Sequence, residues 1–208
     1  MLVRFHMSSR VATVGPKDTL ETARHQLDSH GVRQLPVVHE GLLVGIITDR
    51  DLRSAEPEAH LVEEVMTQNP ITIESSGSVD EAARILRQSK VNSLPVVDED
   101  QLVGMLSTSD VLDAFVALSG VAEPSYRLVL DAAGGADADE RLRAVLARAR
   151  AEVLWMQRGS GRHRSHVHVR VRTTMVGDVT TALEAAGFTV LATIVSPGNA
   201  AGPDIALG

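Results

Sequence analysis

Gly45-Ile46-Ile47-Thr48-Asp49-Arg50-Asp51 returns later in the chain as Gly104-Met105-Leu106-Ser107-Thr108-Ser109-Asp110, displaced by 59 residues. The same displacement, applied without a gap, lays residues 7–52 on residues 66–111 and matches far more than these two runs. Met7 falls on Met66, Thr13 on Thr72, Ala23 on Ala82 and Leu27 on Leu86. Val32, Leu35-Pro36-Val37-Val38 and Glu40 fall on Val91, Leu94-Pro95-Val96-Val97 and Glu99. An ungapped repeat of this kind is one supersecondary unit used twice.

Each copy reads as strand, helix, strand, strand, helix. In the first, a helix is expected from about Asp18, with Glu21 as capping partner, Leu20, Ala23 and Leu27 on one face, and Gly31 as the stop. In the second, Ser78 and Glu81 supply the cap and Val79, Ala82 and Leu86 the buried stripe. Two apolar runs follow, residues 35–38 and 42–47, separated by His39-Glu40-Gly41 as in a hairpin, and residues 94–97 and 102–106 repeat them. A last helix opens after Thr48 or Ser107.

Two Leu-Pro-Val-Val strands, each followed by Gly-x-x-Thr/Ser-x-x-Asp and preceded by a methionine and an amphipathic helix, resemble a tandem pair of cystathionine-beta-synthase (CBS) domains, the Bateman module. The resemblance covers roughly residues 1–118 and divides that part into repeat 1 at 1–60 and repeat 2 at 61–119. It implies an adenine-nucleotide ligand: AMP, ADP or ATP.

Composition fits a globular protein: 208 residues, 44% apolar, and no apolar run near the length of a membrane span. The start, Met1-Leu2-Val3-Arg4-Phe5-His6, is too short and polar for a signal peptide, so a cytoplasmic location is expected. The chain has no cysteine, which excludes disulfides, thiolate catalysis and cysteine-ligated metals. Charge is uneven. Residues 1–124 carry 10 basic and 19 acidic side chains, and residues 125–208 carry 10 arginines against 8 acidic ones, so the two parts are expected to meet different partners.

Residues 120–125 read as a linker. Beyond it come a strand at 126–130, a helix at 137–152, strands at 153–157 and 165–173, a helix at 176–186 and a strand at 189–195, then a Gly/Pro/Ala-rich tail at 196–208. This βαββαβ order is that of a ferredoxin-like split β-α-β unit, so the expected fold class is α+β throughout. After a CBS pair, such a unit at 126–195 resembles an ACT domain, and the combination resembles the acetoin-utilisation accessory proteins. The glycine turn before an ACT domain's first helix would be Asp131-Ala132-Ala133-Gly134-Gly135-Ala136-Asp137, without the usual proline.

The candidate chemistry lies in the repeated motif. Thr48 closes an apolar strand and opens a helix, so its hydroxyl and the free N–H groups of the first turn can face an anion, phosphate being the natural guest. Asp51, one turn on, suits the paired hydroxyls of a ribose. Ser107 and Asp110 repeat the arrangement. The CBS resemblance gives the Thr/Ser the phosphate, the Asp the ribose, and the first strand with the residue before proline the base. It thereby implies Val11, Ala12 and Leu35 in one site, and Ile71, Thr72 and Leu94 in the other. Arg33 and Arg50 add cations to the first site where the second has Asn92 and Ser109, which makes the first the stronger candidate. Both motifs also suit plain helix caps that need no ligand.

The strand His166-Val167-His168-Val169-Arg170-Val171-Arg172 alternates, so His166, His168, Arg170 and Arg172 share one face. Arg158, Arg162, His163 and Arg164 precede it, and no acidic residue lies between Gln157 and Val176. The preferred reading is a solvated sheet face or a subunit contact. Nucleic-acid binding is disfavoured because the face has no stacking aromatics, and a metal site on His163, His166 and His168 because no carboxylate is near. Trp155 reads as core or dimer contact. No catalytic constellation, metal site or catalytic cofactor is expected. The sequence therefore reads as a non-enzymatic regulatory homodimer that senses a nucleotide, acts on an unidentified enzyme, and uses its last domain for a second ligand or for dimerisation. The rival is an interaction scaffold with no nucleotide.

Overall fold

The computed structural model describes residues 1–131, 137–159 and 166–198, and its chain divides into two compact units, Met1–Ala114 and Phe115–Gly208. The fold is mixed α+β.

The first unit carries each repeat as a helix, a β-hairpin and a further helix. The first copy has α1 (Leu20–His30), β1 (Gln34–His39), β2 (Leu42–Thr48) and α2 (Asp49–Ser54). A short α3 (Val62–Val65), β3 (Thr67–Gln68) and β4 (Ile73–Glu74) lead into the second copy, α4 (Val79–Ser89), β5 (Ser93–Asp98), β6 (Gln101–Ser107) and α5 (Thr108–Ser119). The sheet order is β1-β2-β6-β5-β4, with β3 on β2. Both hairpins carry a bulge at the same place, Val37/Val38 and Val96/Val97, and they meet at the equivalent residues Leu42 and Gln101. The first strand of each copy is vestigial: one parallel bridge from Val14 to Val37, and the two-residue β4 beside Val96.

Helix ends follow local chemistry, with one correction. Ser78 Oγ caps α4 by accepting from Glu81 N at 3.0 Å, as read from the sequence. On α1 the cap is Thr19, whose Oγ1 accepts from Thr22 N at 3.1 Å, while Asp18 turns back to accept from Gly15 N at 2.7 Å. Gly31 closes α1 in the left-handed region (φ 62°), and Lys90 closes α4 in the same conformation (φ 55°), where a side chain is strained.

The cores reveal an exchange between the repeats. One core gathers Leu20, Ala23, Leu27, Leu35, Val37, Ile47 and Leu52 of the first copy, and also Val62. The other gathers Val79, Ala82, Leu86, Leu94, Val96, Leu106 and Val111 of the second copy, and also Val3. The lead-in to each repeat thus packs into the other. Gly45 and Gly104 make this possible, because a Cβ on either would lie 2.6 Å from the sulfur of Met66 or Met7, respectively.

The second unit contains β7 (Pro124–Asp131), α6 (Ala138–Arg148), β8 (Glu152–Arg158), β9 (His166–Arg172), α7 (Val176–Ala185) and β10 (Thr189–Pro197). Its antiparallel sheet runs β10-β7-β9-β8. One core joins Leu142, Leu146, Val179 and Leu183 of the helices to Leu128, Leu130, Val167, Val169 and Val171 of the sheet, so both helices cover the same face. Pro124 and Ser125, expected in the linker, belong to β7, and Ser196 and Pro197, expected in the tail, belong to β10. α6 stops four residues short of the expected Glu152 because Arg150 takes a left-handed turn (φ 54°) that carries the chain into β8. Residues 132–136 of the glycine turn, Arg162, His163, Arg164 and the rest of the tail from residue 199 lie outside the described residues. No described helix is long and apolar enough to cross a membrane.

Candidate functional site

Thr48, the last residue of β2, caps α2 in a closed box: its N–H and Oγ1 both donate to Asp51 Oδ2, at 2.8 and 2.7 Å, and Oγ1 accepts from Asp51 N at 3.2 Å. Ser107 and Asp110 reproduce it at the start of α5, with 2.7 Å from Ser107 N, 2.6 Å from Ser107 Oγ and 3.1 Å from Asp110 N. Both bonds to each aspartate fall on Oδ2, so Oδ1 remains an acceptor for other donors. The hydroxyl protons are spent inside the box. Thr48 therefore reaches an anion only by giving up a 2.7 Å bond.

The two boxes line one cleft of about 880 Å³ in the first unit. It gathers Val11, Ala12, Arg33, Thr48, Arg50, Asp51, Ser107 and Asp110 of the expected set. Backbone bonds fix the mouth of each half: Asp49 N donates to Arg33 O at 3.0 Å, and Thr108 N to Asn92 O at 2.8 Å. Between the halves, Gln34 donates to Ser93, its equivalent in the other repeat.

Four residues of the expected set do not line the cleft. Leu35 and Leu94 are fully buried, one in each core, because each pairs across its hairpin with another core residue, Ile47 or Leu106. Alternate strand residues face opposite sides, so Gln34 and Ser93, one position earlier, face the cleft instead. Ile71 is 50% exposed, and Thr72 also stands outside the lining. The 59-residue displacement sets Val11 and Ala12 on Pro70 and Ile71, so Thr72 lies one residue beyond the equivalent pair.

The sequence reading missed Arg10 and Lys90, which also line the cleft. With Arg33 and Arg50 they make four cations for which no hydrogen bond or ion pair forms among the described residues, whereas Arg53 is held by Asp49 at 2.9 Å. Against them stand the boxed Asp51 and Asp110. The cleft is thus locally positive although residues 1–124 are net acidic, 10 basic against 19 acidic. The missed signal was present in the repeat: Lys90 occupies the position of Gly31, where only a functional or local reason favours a side chain. Among the described residues no cluster of histidines and carboxylates suits a metal ion.

A CBS domain-containing protein of Dictyostelium discoideum is 40% identical over 133 residues, spanning 56% of this chain and 92% of that protein. Inosine-5'-monophosphate dehydrogenase of Korarchaeum cryptofilum is 41% identical over 102 residues, 49% of this chain but only 21% of the enzyme. Among solved structures, CBSX2 from Arabidopsis thaliana in complex with AMP superposes with a TM-score of 0.53 at 29% identity, covering 55% of this chain and 96% of that one. The CBS domain pair of protein MJ0100, in complex with 5'-methylthioadenosine and S-adenosyl-L-methionine, superposes with a TM-score of 0.52 at 32% identity, covering 55% and 95%. The profile of the CBS domain matches twice, at residues 3–58 and 62–117, and the chain belongs to the CBS domain family as a tandem pair.

Proposed function

We propose that this chain is a non-catalytic regulatory protein of the cytoplasm whose CBS pair binds an adenine nucleotide of the AMP, ADP or ATP class. The observation that carries the reading is the cleft: four cations without partners among the described residues, beside two carboxylates that each keep an oxygen for donors. Phosphate goes to Arg33 and Arg50, whose guanidinium forks suit its oxygens, and the ribose hydroxyls donate to Asp51 Oδ1. Neither contact requires the Thr48 box to open. The second half, with Asn92 and Ser109 at the matching positions, is the weaker phosphate site. Two solved relatives in complex with AMP or S-adenosyl compounds support an adenosine ligand.

The ligand works through differential binding: occupancy of the cleft favours one arrangement of the repeats or subunits, and only that preference transmits a signal. A homodimer and a regulated enzyme are the partners this reading needs. The second unit, with the order βαββαβ and both helices on one sheet face, supports an ACT-like domain serving a second ligand or dimerisation. Kinship with the acetoin-utilisation accessory proteins remains part of this proposal.

The closed boxes favour one rival, a dimeric scaffold in which Thr48–Asp51 and Ser107–Asp110 are only helix caps. Thermal melting with AMP, ADP, ATP and S-adenosylmethionine separates the two. A ligand at 100 times its dissociation constant adds about 2.7 kcal/mol, a shift of several degrees. The sensor requires such a shift in the wild type and its loss in Arg33→Gln/Arg50→Gln. The scaffold requires unchanged melting with every ligand.

A further inference from the structure

The sheet face of the second unit opposite its helices is closed to solvent at its centre, although Arg172 at its margin is exposed. Arg170, at the centre of β9, is only 4% exposed. Its Nη1 donates to Ser125 Oγ at 3.0 Å and Ser196 Oγ at 2.6 Å, which fixes the guanidinium between β7 and β10. Directly across the ladder stands Arg127, whose Nη2 lies 3.1 Å from His168 Nδ1. An arginine only donates, so that histidine nitrogen is the acceptor and carries no proton. The Nε atoms of both arginines are buried and have no hydrogen-bond partner among the described residues. Neither guanidinium has a carboxylate partner among the described residues. The neighbouring Arg172, by contrast, reaches Glu123 and Glu152.

Like charges set opposite each other on a sheet repel, and a buried charge without a counter-charge is costly. Burial, and after it the Arg127 charge, accordingly lowers the Arg170 pKa. Water would satisfy the two donors singly but would leave both guanidiniums without a contacting anion, since the carboxylate on the same face, Asp131, contacts neither and keeps a buried Oδ1 without a partner among the described residues. We propose that Arg127 and Arg170 together bind a small oxyanion, a carboxylate or a phosphate, on the helix-free face of the second unit, with Ser125 and Ser196 as positioning residues. Gly120 lies against the Arg170 stem, where a Cβ would stand 3.3 Å from Cδ. The site gives chemical content to the second-ligand role proposed above, but it does not depend on nucleotide binding by the CBS pair.

The test uses the full chain, dialysed free of phosphate, and follows the arginine Nε–H resonances while sodium phosphate or sodium acetate is added at constant ionic strength. Two Nε–H signals are expected to move saturably, with each assigned by its loss in Arg127→Gln or Arg170→Met. Calorimetry of those variants should show affinity for the bound anion reduced roughly tenfold or more, the worth of a charge-assisted bond. Arg33→Gln/Arg50→Gln should retain this binding and lose only the response to AMP. Whichever anion binds identifies the source, phosphate or carboxylate. Static Nε–H signals with both anions overturn the proposal, as does binding that survives in Arg127→Gln and Arg170→Met but disappears in Arg33→Gln/Arg50→Gln. If either variant of the second unit fails to fold, the wild-type resonances decide alone.

Discussion

Gly104→Ala tests the exchange between the repeats on which the cleft is built. A Cβ on Gly104 would stand 2.6 Å from Met7 Sδ and 3.0 Å from both Met7 Cγ and Ser8 O. The Met7 side chain can swing away. Ser8 cannot, because it is bonded to Met105 in both directions, at 2.9 and 3.0 Å. The methyl is therefore forced against pinned backbone, and overpacking of this kind costs about 1–3 kcal/mol, which lowers the melting of the first unit by roughly 10 °C. A double-mutant cycle locates the obstacle. Gly104→Ala should cost about 1 kcal/mol less in a Met7→Ala background than in wild type, since half of the clash has been removed. It should show no coupling to Met66→Ala, because Met66 packs on Gly45. The assay is urea unfolding followed by circular dichroism. A Gly104→Ala cost within about 0.5 kcal/mol of zero, or coupling to Met66 in place of Met7, would refute the exchange.

Lys90→Gly should stabilise the protein by about 0.5 kcal/mol in thermal melting: it relieves a left-handed side chain costing about 1–2 kcal/mol but adds freedom to the unfolded chain. Glu64 accepts from Leu61 N at 2.8 Å and His60 N at 2.6 Å, and these bonds hold its carboxyl below the ordinary 4.5. A folded pKa below the unfolded one gives stability that is present above the unfolded value and lost as pH falls through the folded one. Urea titrations on the acid side should therefore show a shallower loss in Glu64→Gln than in wild type. Leu142→Ala, in the core of the second unit, should cost about 2–5 kcal/mol, read from the fluorescence of Trp155, the only tryptophan.

The repeat was legible because it is ungapped, and the hairpins because Leu-Pro-Val-Val and its partner run bracket a short polar turn in each copy. The motif residues were legible for the same reason: a Thr/Ser three residues before an Asp at a strand end has few local geometries, and both copies adopt the same box. What stayed hidden was long-range. Aligning the copies shows that Met7 resembles Met66, but not that each packs under the other copy's glycine. Leu35 and Leu94 were misplaced because strand alternation fixes two faces without saying which one meets the cleft, and a one-residue difference puts Gln34 and Ser93 there. Alternation likewise gave Arg170 its polar face. Its burial depends on Ser125 and Ser196, which come from strand ends that read as linker and tail. Thr19 displaced Asp18 as a cap because Asp18 found a nearer donor in Gly15 N.

The most direct measurement of the central claim is a calorimetric titration of the full chain with AMP, repeated with adenosine and with Arg33→Gln/Arg50→Gln. AMP should bind saturably and roughly tenfold or more weakly in the double variant, with adenosine binding unaffected by the substitutions. Absence of saturable heat with AMP, ADP and ATP, or equal AMP affinity in wild type and variant, would contradict it.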